Sequence, residues 1–213
     1  MFRSRLFRIV VCLLVLFSLL GIRSCGQTVE PSALESSCPV AALRWLRPMN
    51  RQERKISRYD FLIRKYAGLI DMDWRLLAAI IFHESQFNEL AVSPVGAKGL
   101  MQVMDIAAVH YGMPDADLFD PESNIQLGTM VFEDLIDQFR REGVDSTDVV
   151  RFAIASYNVG GGALARRRAE ADSLGLNPNE WASVATIFDR HDITTPAYID
   201  AVEDTYYRYC QRF

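Results

Sequence analysis

Basic surplus, histidine and cysteine are what this chain has little of. Its 213 residues carry 23 Lys and Arg against 27 Asp and Glu, a formal net charge of −4. Four of the arginines, Arg3, Arg5, Arg8 and Arg23, fall in the first 24 residues, which hold no acid, and without them the balance is 19 basic to 27 acidic, or −8. Binding to nucleic acid needs basic surface to meet phosphates, so the balance argues against that class of partner. The three histidines, His83, His110 and His191, form no metal-ligand grouping with cysteines or acids, and no metal site is expected. Strand-like alternation never lasts beyond a few residues, and internal repeats and low-complexity tracts are lacking, which argues against β architectures and solenoids. Half of the residues are hydrophobic. That is enough for one sizeable core and too much for global disorder.

Long apolar runs are short here too. The run from Ile9 to Ile22 has 14 residues, fewer than the roughly 20 that a spanning helix needs. It follows Arg3, Arg5 and Arg8, so residues 1–24 have the layout of an export signal rather than of a permanent span. An exported, periplasmic and membrane-anchored protein is expected, an outer-membrane lipoprotein being one form of it. Cys25, in Ile22-Arg23-Ser24-Cys25, stands where a bacterial lipoprotein signal places its lipidated cysteine, although Arg23 is unusual there. Lipidation of Cys25 and cleavage without lipid both remain open. Of the four cysteines, Cys12 lies inside the signal. If Cys25 carries lipid, Cys38 and Cys210 are left, and in an oxidising compartment they can close a disulfide from the start of the domain to its last helix. Two buried thiols are the alternative.

Residues 25–49, rich in Ser, Pro and Ala, read as a tether, with Trp45 and Leu46 able to pack on the domain. Residues 50–213 read as the domain. From Asn50 the pattern is helical, with Ile56, Tyr59, Leu62, Ile63 and Tyr66 at spacings of three and four, and Gly68 ends it. Asp73 is a candidate N-cap for a helix whose apolar run reaches Glu84. Gly99 to Tyr111 reads as a further helix, stopped by Gly112 and Pro114. Asp120-Pro121-Glu122 places an N-cap before a proline at the first helical position, and the segment to about Arg141 is amphipathic, with Ile125, Leu127, Val131, Phe132, Leu135, Ile136 and Phe139 as its stripe. Asp145 to Thr147 can cap a helix from Val149 to Tyr157, which Gly160-Gly161-Gly162 terminates. A short helix from Ala163 to about Ala171 follows. The stretch from Asn177 to Thr195 reads as irregular, and a last helix runs from near Pro196 to about Arg212. The fold class is mostly α, one domain of about seven helices.

Three patches are poorly explained by packing: Glu84-Ser85, the segment Ser93 to Met104, and Ser156-Tyr157-Asn158 with the three glycines after it. Each sits at a helix end or in a loop. Glu84 directly follows Leu76, Leu77, Ala78, Ala79, Ile80, Ile81, Phe82 and His83, where the buried face of a core helix runs out. Desolvation and the negative end of the helix dipole both disfavour its ionised form. A carboxylic acid with its pKa raised toward neutral suits general acid catalysis on a glycosidic oxygen.

The order and spacing of these patches resemble the lytic transglycosylase family: Glu84-Ser85, then Ser93-Pro94-Val95-Gly96-Ala97-Lys98-Gly99-Leu100-Met101-Gln102, then Tyr157-Asn158 before Gly160. The resemblance is strongest over residues 84–160 and looser over about 55–205. It implies a goose-type lysozyme-like helical domain with a substrate cleft, and no cofactor. Glu84 would be the sole acid/base, protonating the oxygen of the β-1,4 bond between N-acetylmuramic acid and N-acetylglucosamine in peptidoglycan. As a carboxylate it would then take the proton of the C6 hydroxyl that attacks C1, leaving a 1,6-anhydro end. A two-carboxylate hydrolase needs a second acid across the sugar, whereas an intramolecular nucleophile does not. Asp71, Asp73, Glu89 and Asp105 fall at no position that the family uses and read as caps or surface.

The resemblance also implies that Ser93 bonds near the acid and the sugar, and that Gln102 and Met104 line the cleft. Tyr157 would bond the acid or an acetamido group, and Asn158 a backbone group or a sugar hydroxyl. Met101 reads as core. Near the end the family carries Glu-Thr-Arg-x-Tyr-Val, where this chain has Thr194-Thr195-Pro196-Ala197-Tyr198-Ile199. Tyr198 keeps its place without the acid and the arginine. His83 is expected to face away from Glu84, and Arg166-Arg167-Arg168 to form a solvated face. A monomer whose partners are glycan strands and, through its N-terminus, a membrane is expected. A hydrolytic muramidase on the same fold and a non-catalytic peptidoglycan-binding scaffold are the competing readings.

Overall fold

The computed structural model describes residues 55–191 and 194–213. The segments expected to be an export signal and a tether, with Cys12, Cys25 and Cys38, lie outside the described residues. Among those described, no helix is long and apolar enough to cross a membrane.

Among the described residues eight helices follow one another, one more than the sequence suggests: α1 Asp60–Leu69, α2 Trp74–Ser85, α3 Asp105–His110, α4 Pro121–Arg141, α5 Val149–Val159, α6 Gly161–Ser173, α7 Trp181–Arg190 and α8 Thr195–Arg212. Two of the three caps read from sequence are made, and the third is not: the N-cap of α5 is Asp148, without a side-chain cap bond, while Asp145 accepts from the Thr147 N–H at 2.9 Å. Asp73 accepts from the Arg75 N–H at 2.9 Å, and Asp120 accepts from the Ser123 N–H at 2.9 Å ahead of Pro121. Each satisfies an otherwise orphaned first-turn donor.

α2 organises the rest because its apolar residues encircle it. Ala79 and Ile80 belong to a cluster with Phe132, Phe152, Trp181, Phe188, Ile199 and Val202. Leu77, Ala78 and Ile81 belong to a second with Ile63, Tyr66, Leu100, Met101, Ile125 and Leu127. A helix apolar all round has no solvent side to keep, and α2 is the wall shared by two half-cores. Its broadest partner is α8, while α4 packs most broadly on α5.

Several elements differ from their sequence reading. The first helix begins at Asp60, whose buried carboxylate instead holds the turn before it, accepting from the N–H groups of Ile56 and Ser57 at 2.9 and 2.8 Å. Gly99 to Tyr111 is helical only from Asp105 to His110. Gly99 and Gln102 adopt positive φ of 74° and 51°, which no helix accommodates. The three glycines divide between two helices, Gly160 closing α5 and Gly161 opening α6. The stretch expected to be irregular contains α7, whose Trp181, Val184, Ile187 and Phe188 are buried at helical spacing. Asn177-Pro178-Asn179 masked that signal by announcing a turn just ahead of a short helix. Arg168 is not on a solvated face: its guanidinium lies 5.5 and 5.4 Å from the ring centroids of Phe139 and Phe152 and pairs with Glu142.

Candidate active site

Glu84 is the penultimate residue of α2, one residue before the helix gives way to the left-handed Gln86. Its carboxyl is largely removed from water, and this burial pushes its pKa up. The Tyr198 hydroxyl, from the first turn of α8, donates to Glu84 Oε1 at 2.5 Å and draws the pKa part of the way back. No cation contributes to the balance. A carboxyl so placed holds its proton to higher pH than a solvated glutamate while keeping a fixed orientation.

The loop after α2 is built as a platform beside this carboxyl. Two short antiparallel bridges, Val92 with Lys98 and Lys98 with Val103, fold it back on itself. The Ser85 hydroxyl donates to the Leu100 carbonyl at 2.8 Å, joining the helix end to the loop. Fully buried Asn124 of α4 accepts from the Met101 N–H at 2.7 Å and donates to the carbonyls of Lys98 and Leu118, both at 2.8 Å. Gly99 is required beneath it: a Cβ there would run into the Asn124 amide and the Leu118 carbonyl. Met101 is buried against Gly128, where any side chain would collide with it. Loop backbone groups are thus met by side chains from three helices, as buried polar groups require.

The residues expected at the site fall into two sets. Glu84 and Tyr198 are in contact, and Tyr157 stands close enough for the Glu84 charge to raise its pKa, after the larger effect of burial. Tyr157 was expected to bond the acid or an acetamido group. Its hydroxyl instead donates to the Met101 carbonyl at 2.6 Å, and its ring packs edge-on to Phe132. Ser93 accepts from the Ala97 N–H at 3.0 Å, closing the turn at Pro94. Gln102 donates its amide to the carbonyls of Gly99 and Ala91 at 2.9 and 3.3 Å. Met104 is 40% exposed just before α3. Asn158 is exposed at the end of α5, and its oxygen accepts from the buried Thr195 hydroxyl at 3.1 Å. Cys210 is half-buried near the end of α8, and its expected partner Cys38 lies outside the described residues.

His83 faces α8 rather than the carboxyl, as its angle from Glu84 around the helix suggests. Asp73 caps, Glu89 accepts from Tyr59 at 2.5 Å, and Asp105 pairs with Lys98. Asn124 and Thr195 were missed by sequence reasoning. A signal existed for the first: Asn124 shares a helical face with Leu127, Gly128 and Val131, where a polar residue needs a buried partner.

A family model described as Transglycosylase SLT domain matches residues 61–178, more than half of the chain. Similar proteins include the membrane-bound lytic murein transglycosylases F of Haemophilus influenzae and Marinobacter nauticus, 37% and 38% identical over 136 residues. Those alignments cover 64% of this chain but only 27% and 26% of the relatives, so the chain spans about a quarter of their length. Among solved structures, an inactive mutant of the lytic transglycosylase Slt of Pseudomonas aeruginosa matches with a TM-score of 0.55 at 25% identity, covering 72% of this chain and 24% of that one. The 70 kDa soluble lytic transglycosylase of Escherichia coli matches with a TM-score of 0.54 at 28% identity, with the same coverage.

Proposed function

Because this chain belongs to the transglycosylase SLT domain family, we propose that it is a lytic transglycosylase of murein in which Glu84 is the sole acid/base. The protonated Glu84 gives its proton to the glycosidic oxygen between N-acetylmuramic acid and N-acetylglucosamine as that bond breaks. The resulting carboxylate takes the proton of the muramic acid C6 hydroxyl as that oxygen attacks C1, and a 1,6-anhydro end forms without water. The observation that carries this reading is the state of Glu84: buried, oriented by one phenol, and, among the described residues, away from any cation that would hold it ionised. One group can serve both steps because the nucleophile belongs to the substrate and arrives at high effective concentration.

In this reading Tyr198 tunes and aims the acid. Ser93 and Gln102 hold the loop that faces the sugar, and Met104 offers it an adaptable apolar contact. Tyr157 fixes that loop through Met101, and Asn158 meets a sugar hydroxyl. The relatives' names include membrane-bound, which supports export through residues 1–24 and tethering through residues 25–49 with a lipid on Cys25. A Cys38 to Cys210 disulfide completes the proposal, and mass spectrometry of the mature protein with and without reductant tests both modifications.

The test of the activity is digestion of purified sacculi followed by mass spectrometry of the released muropeptides. Anhydro ends are expected. Reducing ends would identify a hydrolase, and binding to sacculi without release would identify a scaffold. Either outcome sinks the transglycosylase reading.

A further inference from the structure

Glu84 and Tyr198 come from different helices, so their hydrogen bond depends on how α8 sits along α2. Apolar packing between the two is broad but non-directional. Directional contacts fix the position of one helix along the other: Tyr206 of α8 donates to the N-cap Asp73 at 3.2 Å at the start of α2, and His83, the neighbour of Glu84, makes the contacts at its end. Its Nε2 lies 2.9 Å from Thr205 Oγ1, and the Arg208 guanidinium donates to that same oxygen at 2.8 Å. A hydrogen bond to the Ala201 backbone favours the protonated ring. Burial outweighs that bond and, with the Arg208 charge, pushes the His83 pKa down, so the neutral ring is favoured.

Tyr198, Ala201, Thr205 and Arg208 follow one another at spacings of three, four and three, a single stripe on α8. His83 bonds the middle of that stripe, and its ring stands edge-on to the Tyr198 ring with centroids 6.1 Å apart. The Tyr198 hydroxyl ends on Glu84, the residue after His83. The loop is closed: α2 grips α8 at Ala201 and Thr205, and α8 presents a phenol to the next residue of α2.

We propose that His83 is a positioning residue for the Glu84 and Tyr198 pair, clamping Ala201 and Thr205 so that the Tyr198 hydroxyl is delivered to the Glu84 carboxyl. The kinetic arm of its test rests on the lytic transglycosylase reading, whereas the spectroscopic arm does not. The full chain is compared with His83→Phe, Tyr198→Phe, the double variant and His83→Gln, whose amide, with both a donor and an acceptor, can still pair with Thr205. The Glu84 carboxyl is followed by carbon-13 NMR with labelled glutamate and assigned with Glu84→Gln. Tyr198→Phe moves the Glu84 midpoint upward, since the lost hydrogen bond favoured the ionised form. His83→Phe moves it the same way, the double variant moves it no further than Tyr198→Phe alone, and His83→Gln restores part of the wild-type value.

On glycan strands His83→Phe lowers kcat roughly tenfold with KM within about twofold, and costs nothing more in the Tyr198→Phe background. Thr205→Val cuts the other end of the clamp without changing volume, so it repeats the midpoint shift and serves if His83→Phe fails to fold. The proposal is overturned by a wild-type midpoint in His83→Phe or Thr205→Val, by shifts that add in the double variant, or by a Tyr198→Phe midpoint that does not move. A wild-type chain without lytic activity would overturn the functional reading and leave the NMR arm to decide this one.

Discussion

Burial of the Glu84 carboxyl raises its pKa, so the folded chain keeps a proton that an unfolded chain has already released. Below the ordinary glutamate value of about 4.3 both states are protonated, and the group is neutral toward stability. As pH rises the unfolded state ionises first, and stability falls until the pH has passed the raised native value, beyond which the loss is complete. Glu84→Gln never ionises and can still accept from Tyr198. Its melting temperature should therefore equal that of wild type near pH 4 (about the unfolded value) and exceed it at neutral pH and above, as calorimetry across that range would show. Activity moves the other way, with kcat on murein falling by about 10²–10⁴-fold, the usual worth of a general acid. With Glu84 as the proposed acid, the alkaline limb of kcat/KM is expected to follow the loss of its proton, and Tyr198→Phe should move that limb to higher pH. Glu84 was legible in the sequence because a charge closing a long apolar run demands an explanation. Which tyrosine touches it was not, since Tyr157 and Tyr198 look alike locally and the choice is made by the docking of α8 across a sequence separation of 114 residues.

Helices with a long apolar run or a clear stripe and a chemical cap were readable, as α2 with Asp73 and α4 with Asp120 demonstrate. Where contacts from elsewhere define the backbone, the reading failed. Residues 99–104 carry enough apolar side chains to suggest a helix, but their groups are claimed by Ser85, Asn124 and Tyr157. Asn124→Ala tests how far the loop depends on α4. It orphans the Met101 N–H and the Leu118 carbonyl, at about 1–3 kcal/mol for each group left unsatisfied, while the Lys98 carbonyl keeps the Val103 N–H at 2.9 Å. A loss of about 3 kcal/mol or more in urea unfolding is expected, and a loss below about 1 kcal/mol would mean that water replaces the amide. Asn124→Asp keeps the acceptor for Met101 yet turns the donor into an oxygen facing two carbonyls, so it should be no milder. Among the three arginines of α6, the side-chain environment separates what sequence cannot. Arg168→Ala removes the stack on Phe139 and Phe152 and the pair with Glu142, for an expected cost of about 1–2 kcal/mol. Arg166→Ala, on the exposed side of the same helix, should stay within about 0.5 kcal/mol of wild type by the same measurement.

Two half-cores on opposite sides of one helix raise the question of whether they melt together. Neither can keep its packing if α2 unwinds, because Ala79 and Ile80 serve one cluster while Leu77, Ala78 and Ile81, interleaved in the same two turns, serve the other. A helix cannot present one face natively and lose the other, so the expectation is a single cooperative transition. The chain supplies a reporter for each side: Trp181 is buried in the first cluster, and Trp74 packs against the second. In a Trp45→Phe background, Trp74→Phe leaves the first reporter and Trp181→Phe the second. Each of these proteins has its own midpoint, and the informative quantity is the shift that Ile80→Ala adds to it. Truncating a fully buried isoleucine costs about 2–5 kcal/mol, and Ile80 touches only the first cluster. If α2 couples the halves, the Trp74 reporter registers the same loss of stability as the Trp181 reporter, with an unchanged denaturant slope. A loss seen by Trp181 alone would mean that the halves unfold separately. The hydrogen bond between Glu84 and Tyr198, which spans α2 and α8, would then rest on the stability of the Trp181 half only.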